Sequence, residues 1–232
     1  YLILNYDDPV TRDMAKDKRV KARVIYFSKV KELADGVYRK DNAIYIKKDG
    51  IEIKVIDTSD LILLGEHNIE NYMAGVAITY YMGIPMDNII SVLKTFKGVA
   101  HRIEYVDEIN GVAYYNDSKG TNPDAAIKGI QAMNRQTVLI GGGYDKGVPF
   151  DDWIKAFDGK VKKLVLIGQT AEIIADTAKR CGFKDYVFAN DLKEAVQICA
   201  KEAEPGDAVL LSPACASWGM FDNYEQRGDL FK

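Results

Sequence analysis

The stretch "YYNDSKGTNPDAA", residues 114–126, places charged and small polar residues between an apolar run and a predicted helix. Asn122 suits the helix N-cap and Pro123 the first helical position. Capping does not explain Asp117 and Lys119, because a turn can do without either charge. A carboxylate at a strand end can accept hydrogen bonds from sugar hydroxyls, and an ammonium beside a helix N-terminus favours phosphate or carboxylate groups. We interpret both side chains as candidate ligand contacts, with solvated turn charges as the alternative.

Two more loops that follow apolar strands contain residues that could bind a ligand or take part in catalysis. "LIGGGYDKG" contains three consecutive glycines and Lys146, but it matches neither GxGxxG nor the P-loop pattern, and a surface turn is the alternative. "LLSPACASWGMFDNYEQRG" supplies Ser212 and Ser217. The sequence has 2 histidines and no GxSxG elbow, so it does not favour serine hydrolysis. For the glycine-rich loop, nucleotide binding and a surface turn both remain open.

Polar residues earlier in the chain add a second group of candidates. "HNIEN" places Asn68 and Asn71 three residues apart at a predicted helix start, where Asn68 can be the N-cap and either amide can read a purine edge. Arg102 follows a predicted hinge, where it can clamp a phosphate or form an ordinary surface ion pair. No group of residues has convincing metal-ligand spacing.

Composition limits the classes of partner. The 232 residues carry a net charge of -3 and are 47% hydrophobic, which indicates a globular chain and does not favour nucleic acid. The 3 cysteines are widely spaced, so we expect no disulfide framework, no zinc site and a reducing cytoplasm. No uncharged apolar run reaches the length of a membrane span, and we expect no membrane insertion. Because the chain begins with Tyr and not Met, we expect it to be part of a longer protein.

The pattern of apolar runs predicts an α/β fold in two parts. Before a boundary near Gly98, it predicts strands at "YLIL" and "ARVIYFS", a hairpin about Asp49-Gly50 and two helices. After a second hairpin about Asn110-Gly111, strands at "TVLIGG", "KLVLIG", "DYVFA" and "AVLLSP" alternate with helical segments. Such alternation predicts a mostly parallel sheet, in which ligands bind beyond the carboxyl ends of the strands.

The order of these strings resembles one enzyme family. "HNIEN", "HR", "YNDSKGTNPDA", "GGGYDKG" and "LLSPACASWGMFDNYEQRG" are similar in sequence and spacing to the Mur ligases of peptidoglycan synthesis, and in particular to their D-glutamate-adding members. The resemblance covers nearly all of residues 60–232. It implies a Rossmann-like, mostly parallel carboxy-terminal domain at residues 99–232. Residues 1–98 would be the end of a P-loop-type α/β central domain that binds ATP.

The resemblance also implies an activity and a nucleotide site. Mur ligases of this kind use ATP to convert the carboxylate of UDP-N-acetylmuramoyl-L-alanine into an acyl phosphate, which the amine of D-glutamate attacks. Asn71 would contact the adenine, Arg102 the phosphates, Asp117 the ribose hydroxyls, and Lys119 the nucleotide. Magnesium would support phosphoryl transfer, with its ligands largely upstream. The phosphate-binding pattern GxxxxGK[ST] is absent from this sequence, so we expect these residues alone to be inactive.

The implied D-glutamate site draws on all three loops. Thr121, Lys146 and Ser217 would hold the carboxylates of the amino acid, and the backbone near Tyr224 would complete the pocket. Lys146 and Arg102 are the implied catalytic residues. One departure is Gly120, where the family usually has alanine.

Three alternative interpretations remain open. Other Mur ligases and folylpolyglutamate synthase share the implied fold. A nicotinamide-dependent dehydrogenase would need a glycine fingerprint that this sequence lacks. A non-catalytic binding module could also have kept the fold after losing the ATPase part.

Overall fold

The computed structural model describes residues 1–63 and 65–232. The chain forms two compact units, Tyr1–Phe96 and Lys97–Lys232. Each unit combines one sheet with helices, and parallel pairing predominates in the second sheet. The predicted α/β class is therefore confirmed.

The first unit contains a five-stranded sheet in the order β1-β2-β3-β4-β5. β1 to β3 are parallel, and β4 and β5 continue the sheet antiparallel. The strands are β1 (Leu2–Asn5), β2 (Val24–Ser28), β3 (Gly36–Lys40), β4 (Ala43–Lys48) and β5 (Ile51–Asp57). The helices are α1 (Pro9–Met14), α2 (Glu66–Tyr81) and α3 (Met86–Thr95), with a 3₁₀ turn at Thr58–Asp60.

Local sequence signals account for much of this unit. The hairpin predicted about Asp49-Gly50 is confirmed, because both residues have the positive φ that a tight two-residue turn needs. The prediction that Asn68 caps the following helix is wrong. α2 begins at Glu66, its N-cap is Gly65, and the amide of Asn68 already donates to the Gly65 carbonyl inside the first turn. Glu66 lies in this first turn, where its charge complements the positive end of the helix dipole.

The second unit contains a six-stranded sheet in the order β10-β9-β8-β11-β7-β6, in which only the edge strand β6 is antiparallel. The strands are β6 (Glu104–Ile109), β7 (Val112–Asn116), β8 (Thr137–Gly141), β9 (Val161–Leu166), β10 (Tyr186–Phe188) and β11 (Ala208–Leu211). The helices are α4 (Pro123–Ala132), α5 (Asp151–Lys155), α6 (Ala171–Arg180), α7 (Leu192–Glu202) and α8 (Tyr224–Phe231). The predicted strands and the hairpin about Asn110-Gly111 are confirmed.

The central strands of the second sheet are buried. Val138 and Ile140 of β8 pack with Leu192 and Cys199 of α7 in one apolar cluster. Strands buried on both faces read as continuous apolar runs, as "TVLIG" does here. Within residues 1–63 and 65–232, no helix combines the length and apolar character needed to cross a membrane.

Candidate functional site

Three neighbouring strands end at the same edge of the second sheet. β11 lies between β7 and β8, and its last residue, Leu211, pairs with Asn116 on one side and Ile140 on the other. The loops that follow these strands therefore begin side by side. The structure brings together the three segments that the sequence singled out.

Backbone hydrogen bonds join these loops. The amide of Gly142 donates to the Pro213 carbonyl at 2.8 Å, and that of Tyr144 donates to the Ala216 carbonyl at 2.9 Å. Side chains at the glycines would collide with neighbouring chain: a Cβ at Gly142 would meet the Ile167 carbonyl, and a Cβ at Gly143 the Ala216 carbonyl. These glycines thus permit close approach of the chain to itself.

Thr170 supports the same junction from α6's N-terminal side. Its Oγ1 accepts a hydrogen bond from the Gly143 amide at 3.0 Å and lies 3.3 Å from the Cys215 Sγ. Burial raises the pKa of the Cys215 thiol to about 11, so the thiol stays protonated at neutral pH. Cys215 is a packing residue here, because a nucleophilic cysteine needs the opposite shift.

Asp117 is more buried than a surface ligand contact would be. Its exposed fraction is 4%; Oδ2 accepts from the Ser212 hydroxyl at 2.7 Å and Oδ1 from the Ile103 amide at 3.2 Å. Burial raises the pKa of Asp117 to about 7, against the lowering effect of these hydrogen bonds and of two arginines. A carboxylate has about four acceptor positions, so further acceptor capacity remains for a ligand hydroxyl.

The departure at Gly120 is explained by this carboxylate. A Cβ at Gly120 would lie 2.7 Å from Asp117 Oδ2, and a Cβ at Gly129 of α4 would lie 2.8 Å from the same atom. Alanine at position 120 would force Asp117 to move. Glycine therefore allows the carboxylate to turn inward towards Ser212.

The predicted cations lie exposed around the loops without acidic partners. The amide of Lys119 donates to the His101 carbonyl at 3.0 Å, which holds the Lys119 loop against the residue preceding Arg102. Lys119 Nζ lies 5.4 Å from the ring centroid of Tyr224. Within residues 1–63 and 65–232, Arg102, Lys119 and Lys146 form no ion pair. The interpretation of Arg102 as half of a surface ion pair is therefore wrong.

The remaining candidates occupy different depths. Ser217 is buried and its carbonyl accepts from the Phe221 amide at 3.0 Å. Thr121 is half-buried, and its amide donates to the Lys119 carbonyl at 2.8 Å. Tyr224, also half-buried, accepts at its carbonyl from the Ser118 hydroxyl at 2.7 Å.

Asn71 belongs to the first unit, whereas the other candidates belong to the second. It lies exposed on α2, and its Nδ2 donates to Asn68 Oδ1 at 3.2 Å. In the part of the chain that the structure describes, no group of His, Cys, Asp and Glu residues could hold a metal ion.

Arg227 is the residue that sequence reasoning missed. It is completely buried in α8: Nε donates to the Ser118 hydroxyl at 2.9 Å, Nη2 to the Ser118 carbonyl at 2.7 Å, and Nη1 to the Cys215 carbonyl at 3.1 Å. Burial lowers the pKa of Arg227 to about 10, so it remains charged at neutral pH. Arg227 thereby joins the loop after β7 to the loop after β11. The only sequence signal was its place in the "EQRG" string.

Comparison with known proteins agrees with this arrangement. Residues 1–79 match the model of the Mur ligase middle domain, and residues 101–215 match that of the Mur ligase glutamate ligase domain. Two relatives are named UDP-N-acetylmuramoylalanine--D-glutamate ligase. The one from Thermoanaerobacter sp. (strain X514) is 56% identical over 100% of this chain and 51% of the relative. The one from Lachnoclostridium phytofermentans is 53% identical over 99% and 50%. The chain thus spans about half the length of the curated relatives it matches.

Solved structures show the same fold at low sequence identity. UDP-N-acetylmuramate-alanine ligase MurC from Thermotoga maritima has a TM-score of 0.63 at 16% identity, covering 97% of this chain and 55% of that one. MurF ligase from the same organism, solved in complex with ADP, has a TM-score of 0.56 at 16% identity, covering 90% and 48%. The matches to both domain models, with relatives above half identity, show that the chain belongs to the Mur ligase family.

Proposed function

We propose that this chain is the carboxy-terminal half of an ATP-dependent ligase that adds D-glutamate to UDP-N-acetylmuramoyl-L-alanine. The observation that carries the proposal is the set of three exposed cations, Arg102, Lys119 and Lys146, which form no ion pair among the described residues. Lys119 and Lys146 follow β7 and β8, and Arg102 precedes β6. Every substrate of the proposed reaction is an anion, so unpaired cations suit all of them. The names of the curated relatives support the choice of amino acid. Because the reaction consumes ATP, we infer a cytoplasmic location.

The proposed reaction has two steps. A carboxylate oxygen of UDP-N-acetylmuramoyl-L-alanine attacks the γ-phosphorus of ATP, which forms an acyl phosphate and releases ADP. The amine of D-glutamate then attacks the acyl carbon, the C–N bond forms, and phosphate leaves with the electrons of the C–O bond. The amine loses a proton in this step, so the products are an amide, ADP and phosphate.

The amino-acid pocket would be built from the loops after β7, β8 and β11. The Lys146 ammonium would pair with one carboxylate of D-glutamate, and the hydroxyls of Ser217 and Thr121 would donate to the carboxylates. The backbone near Tyr224 would close the pocket. A dianionic ligand needs at least one fixed cation together with neutral donors, and these residues meet that requirement.

The second unit would supply most of the proposed nucleotide contacts. Arg102 would bind the phosphates, Lys119 the nucleotide beside them, and Asn71 the adenine. For Asp117 the resemblance implies a contact with the ribose hydroxyls. Asp117 fits this role only through its remaining acceptor capacity, since two positions are already used. Magnesium would neutralise charge on the transferred phosphoryl group, but the described residues do not form a site for it.

The direct test is incorporation of labelled D-glutamate, compared with L-glutamate, into UDP-N-acetylmuramoyl-L-alanine. The protein should be expressed from its complete coding sequence. We expect ATP-dependent, D-selective incorporation, and no activity from the 232 residues alone. No incorporation by the complete protein would favour the non-catalytic binding module instead.

A variant of Lys146 tests the pocket. Lys146 is exposed in the structure. If bound D-glutamate desolvates the charge pair, Lys146→Ala should weaken the transition-state stabilisation measured by kcat/KM for D-glutamate by about 2 to 5 kcal/mol. The matched control is Lys155→Ala, which removes an exposed α5 lysine that lies 3.3 Å from Asp152, and its kcat/KM should stay within twofold of the parent. An unchanged KM and kcat in Lys146→Ala would refute the assignment.

A further inference from the structure

The residues around Arg102 form a strained turn. His101 and Ile103, on either side of Arg102, have φ of +64° and +48°. Left-handed backbone is costly for any side chain and most of all for a β-branched one such as Ile103. Such a turn persists only where its surroundings fix it. Arg102 itself is exposed between two buried neighbours.

Hydrogen bonds to other segments hold this turn. The His101 carbonyl accepts from the Lys119 amide at 3.0 Å, and the His101 amide donates to Glu104 Oε2 at 2.8 Å. The Ile103 amide donates to Asp117 Oδ1 at 3.2 Å. Asp117 therefore supplies the acceptor for the strained residue that follows Arg102.

The position of the Asp117 carboxylate is itself fixed by distant parts of the chain. Ser212 donates to Oδ2 from the loop after β11. Gly129 lies inside α4, where glycine costs helix stability, and a Cβ there would come within 2.8 Å of both Asp117 Oδ2 and the Ser212 hydroxyl. The helix thus leaves room for the pair. A carboxylate enclosed in this way can act as a rigid anchor.

We propose that Asp117 is a positioning residue for Arg102, because its carboxylate holds the strained turn beside the loop that carries Lys119. The proposal rests on the proposed function only for the ligand of Arg102, the phosphates of ATP. It is the alternative to the ribose contact that the resemblance implies for Asp117, and the two roles make opposite predictions.

The first test measures amide hydrogen exchange in the 232-residue chain by NMR. In Asp117→Ala, the Ile103 amide should exchange about tenfold faster, since it loses its hydrogen-bond acceptor. In Asp117→Asn, the side-chain oxygen still accepts this bond, so exchange should stay close to the parent. The Ala113 amide, which donates to the Asp207 carbonyl, is the control for global stability and should not change.

A second variant covers the case in which Asp117→Ala does not fold. Ser212→Ala removes the donor to Oδ2 and leaves Oδ1 in place, so Ile103 exchange should rise about threefold with Ala113 unchanged. Unchanged Ile103 exchange in the folded variants would overturn the proposal, whether or not the complete protein is a ligase.

The second test is a double-mutant cycle in the protein expressed from its complete coding sequence. Asp117→Ala should raise the KM for ATP about tenfold when Arg102 is present and less than twofold in an Arg102→Ala background, with little change in kcat. Asp117→Asn should restore most of the loss. If the effects of Asp117→Ala and Arg102→Ala on the KM for ATP multiply independently, direct ribose binding by Asp117 is indicated and the proposal is overturned. The same holds if Asp117→Asn is as impaired as Asp117→Ala. A parent without ligase activity would refute the proposed function, and the exchange test would then decide on the turn.

Discussion

Replacement of Arg227 by methionine tests how strongly the two ligand loops are held together. Three hydrogen bonds from the buried guanidinium reach Ser118 and Cys215, and methionine of similar length makes none of them. Each buried acceptor left without a donor costs about 1 to 3 kcal/mol. The opposing effect is that a buried charge without a carboxylate partner no longer has to be dehydrated. We expect the free energy of unfolding to fall by about 2 to 4 kcal/mol.

Urea denaturation followed by tryptophan fluorescence measures this loss in the right part of the chain. Both tryptophans, Trp153 and Trp218, belong to the second unit, so their emission reports its unfolding. The control is Arg180→Met, an exposed arginine on α6 that pairs with Asp151 at 2.9 Å and should cost below about 1 kcal/mol. A loss in Arg227→Met no larger than in the control would refute the reasoning.

Three further outcomes are expected. Burial raises the pKa of Asp117 to about 7, so the folded chain holds this proton to a higher pH than the unfolded chain does. The free energy of unfolding should therefore fall as the pH rises from about 4 to 7. Asp117→Asn should remove this decrease, so that in urea titrations across that range its free energy of unfolding rises relative to that of the parent by about 4 kcal/mol at most. In the native chain only Cys181, the half-buried cysteine, should react with a thiol reagent, and reaction of either buried cysteine before unfolding would contradict this. Gly129→Ala should lower the free energy of unfolding by about 1 to 3 kcal/mol, because its Cβ would crowd Asp117 and Ser212. Gly75→Ala, in open space on α2, should raise it by about 0.5 to 1 kcal/mol. Equal effects of the two variants in thermal melting followed by circular dichroism would contradict the packing argument.

The fold could be predicted wherever the signal was local. Runs such as "TVLIG" and the Asp49-Gly50 and Asn110-Gly111 turns carry their own structural preference. β3 was not predicted, because "GVYRK" is short and ends in two charges, although Val37 and Tyr38 are buried in the middle of the sheet. Only pairing with β2 and β4 makes it a strand. α8 was also not predicted, since its residues show no clear apolar period.

The site could likewise be predicted where a local sequence pattern marked it. Loops after apolar strands pointed to Asp117, Lys119 and Lys146, because strand ends collect at one edge of a parallel sheet. The burial of Asp117 was not predictable, since Ser212, which covers it, is 95 positions away along the chain. Arg227 was missed for a related reason. A single arginine usually lies at the surface, and only the folded chain surrounds it with carbonyl and hydroxyl acceptors.

The central place of β11 in its sheet has a consequence for synthesis of the chain. Among the described strands of this sheet β11 comes last in the sequence, so it leaves the ribosome after them, yet it lies between β7 and β8, which are made much earlier. Until residues 208–211 emerge, both earlier strands present an unpaired inner edge, the kind of edge at which nascent chains associate wrongly. The late strand must then close long loops, which slows folding. The middle of the sheet therefore forms, and the ligand loops align, only when β11 pairs late in synthesis.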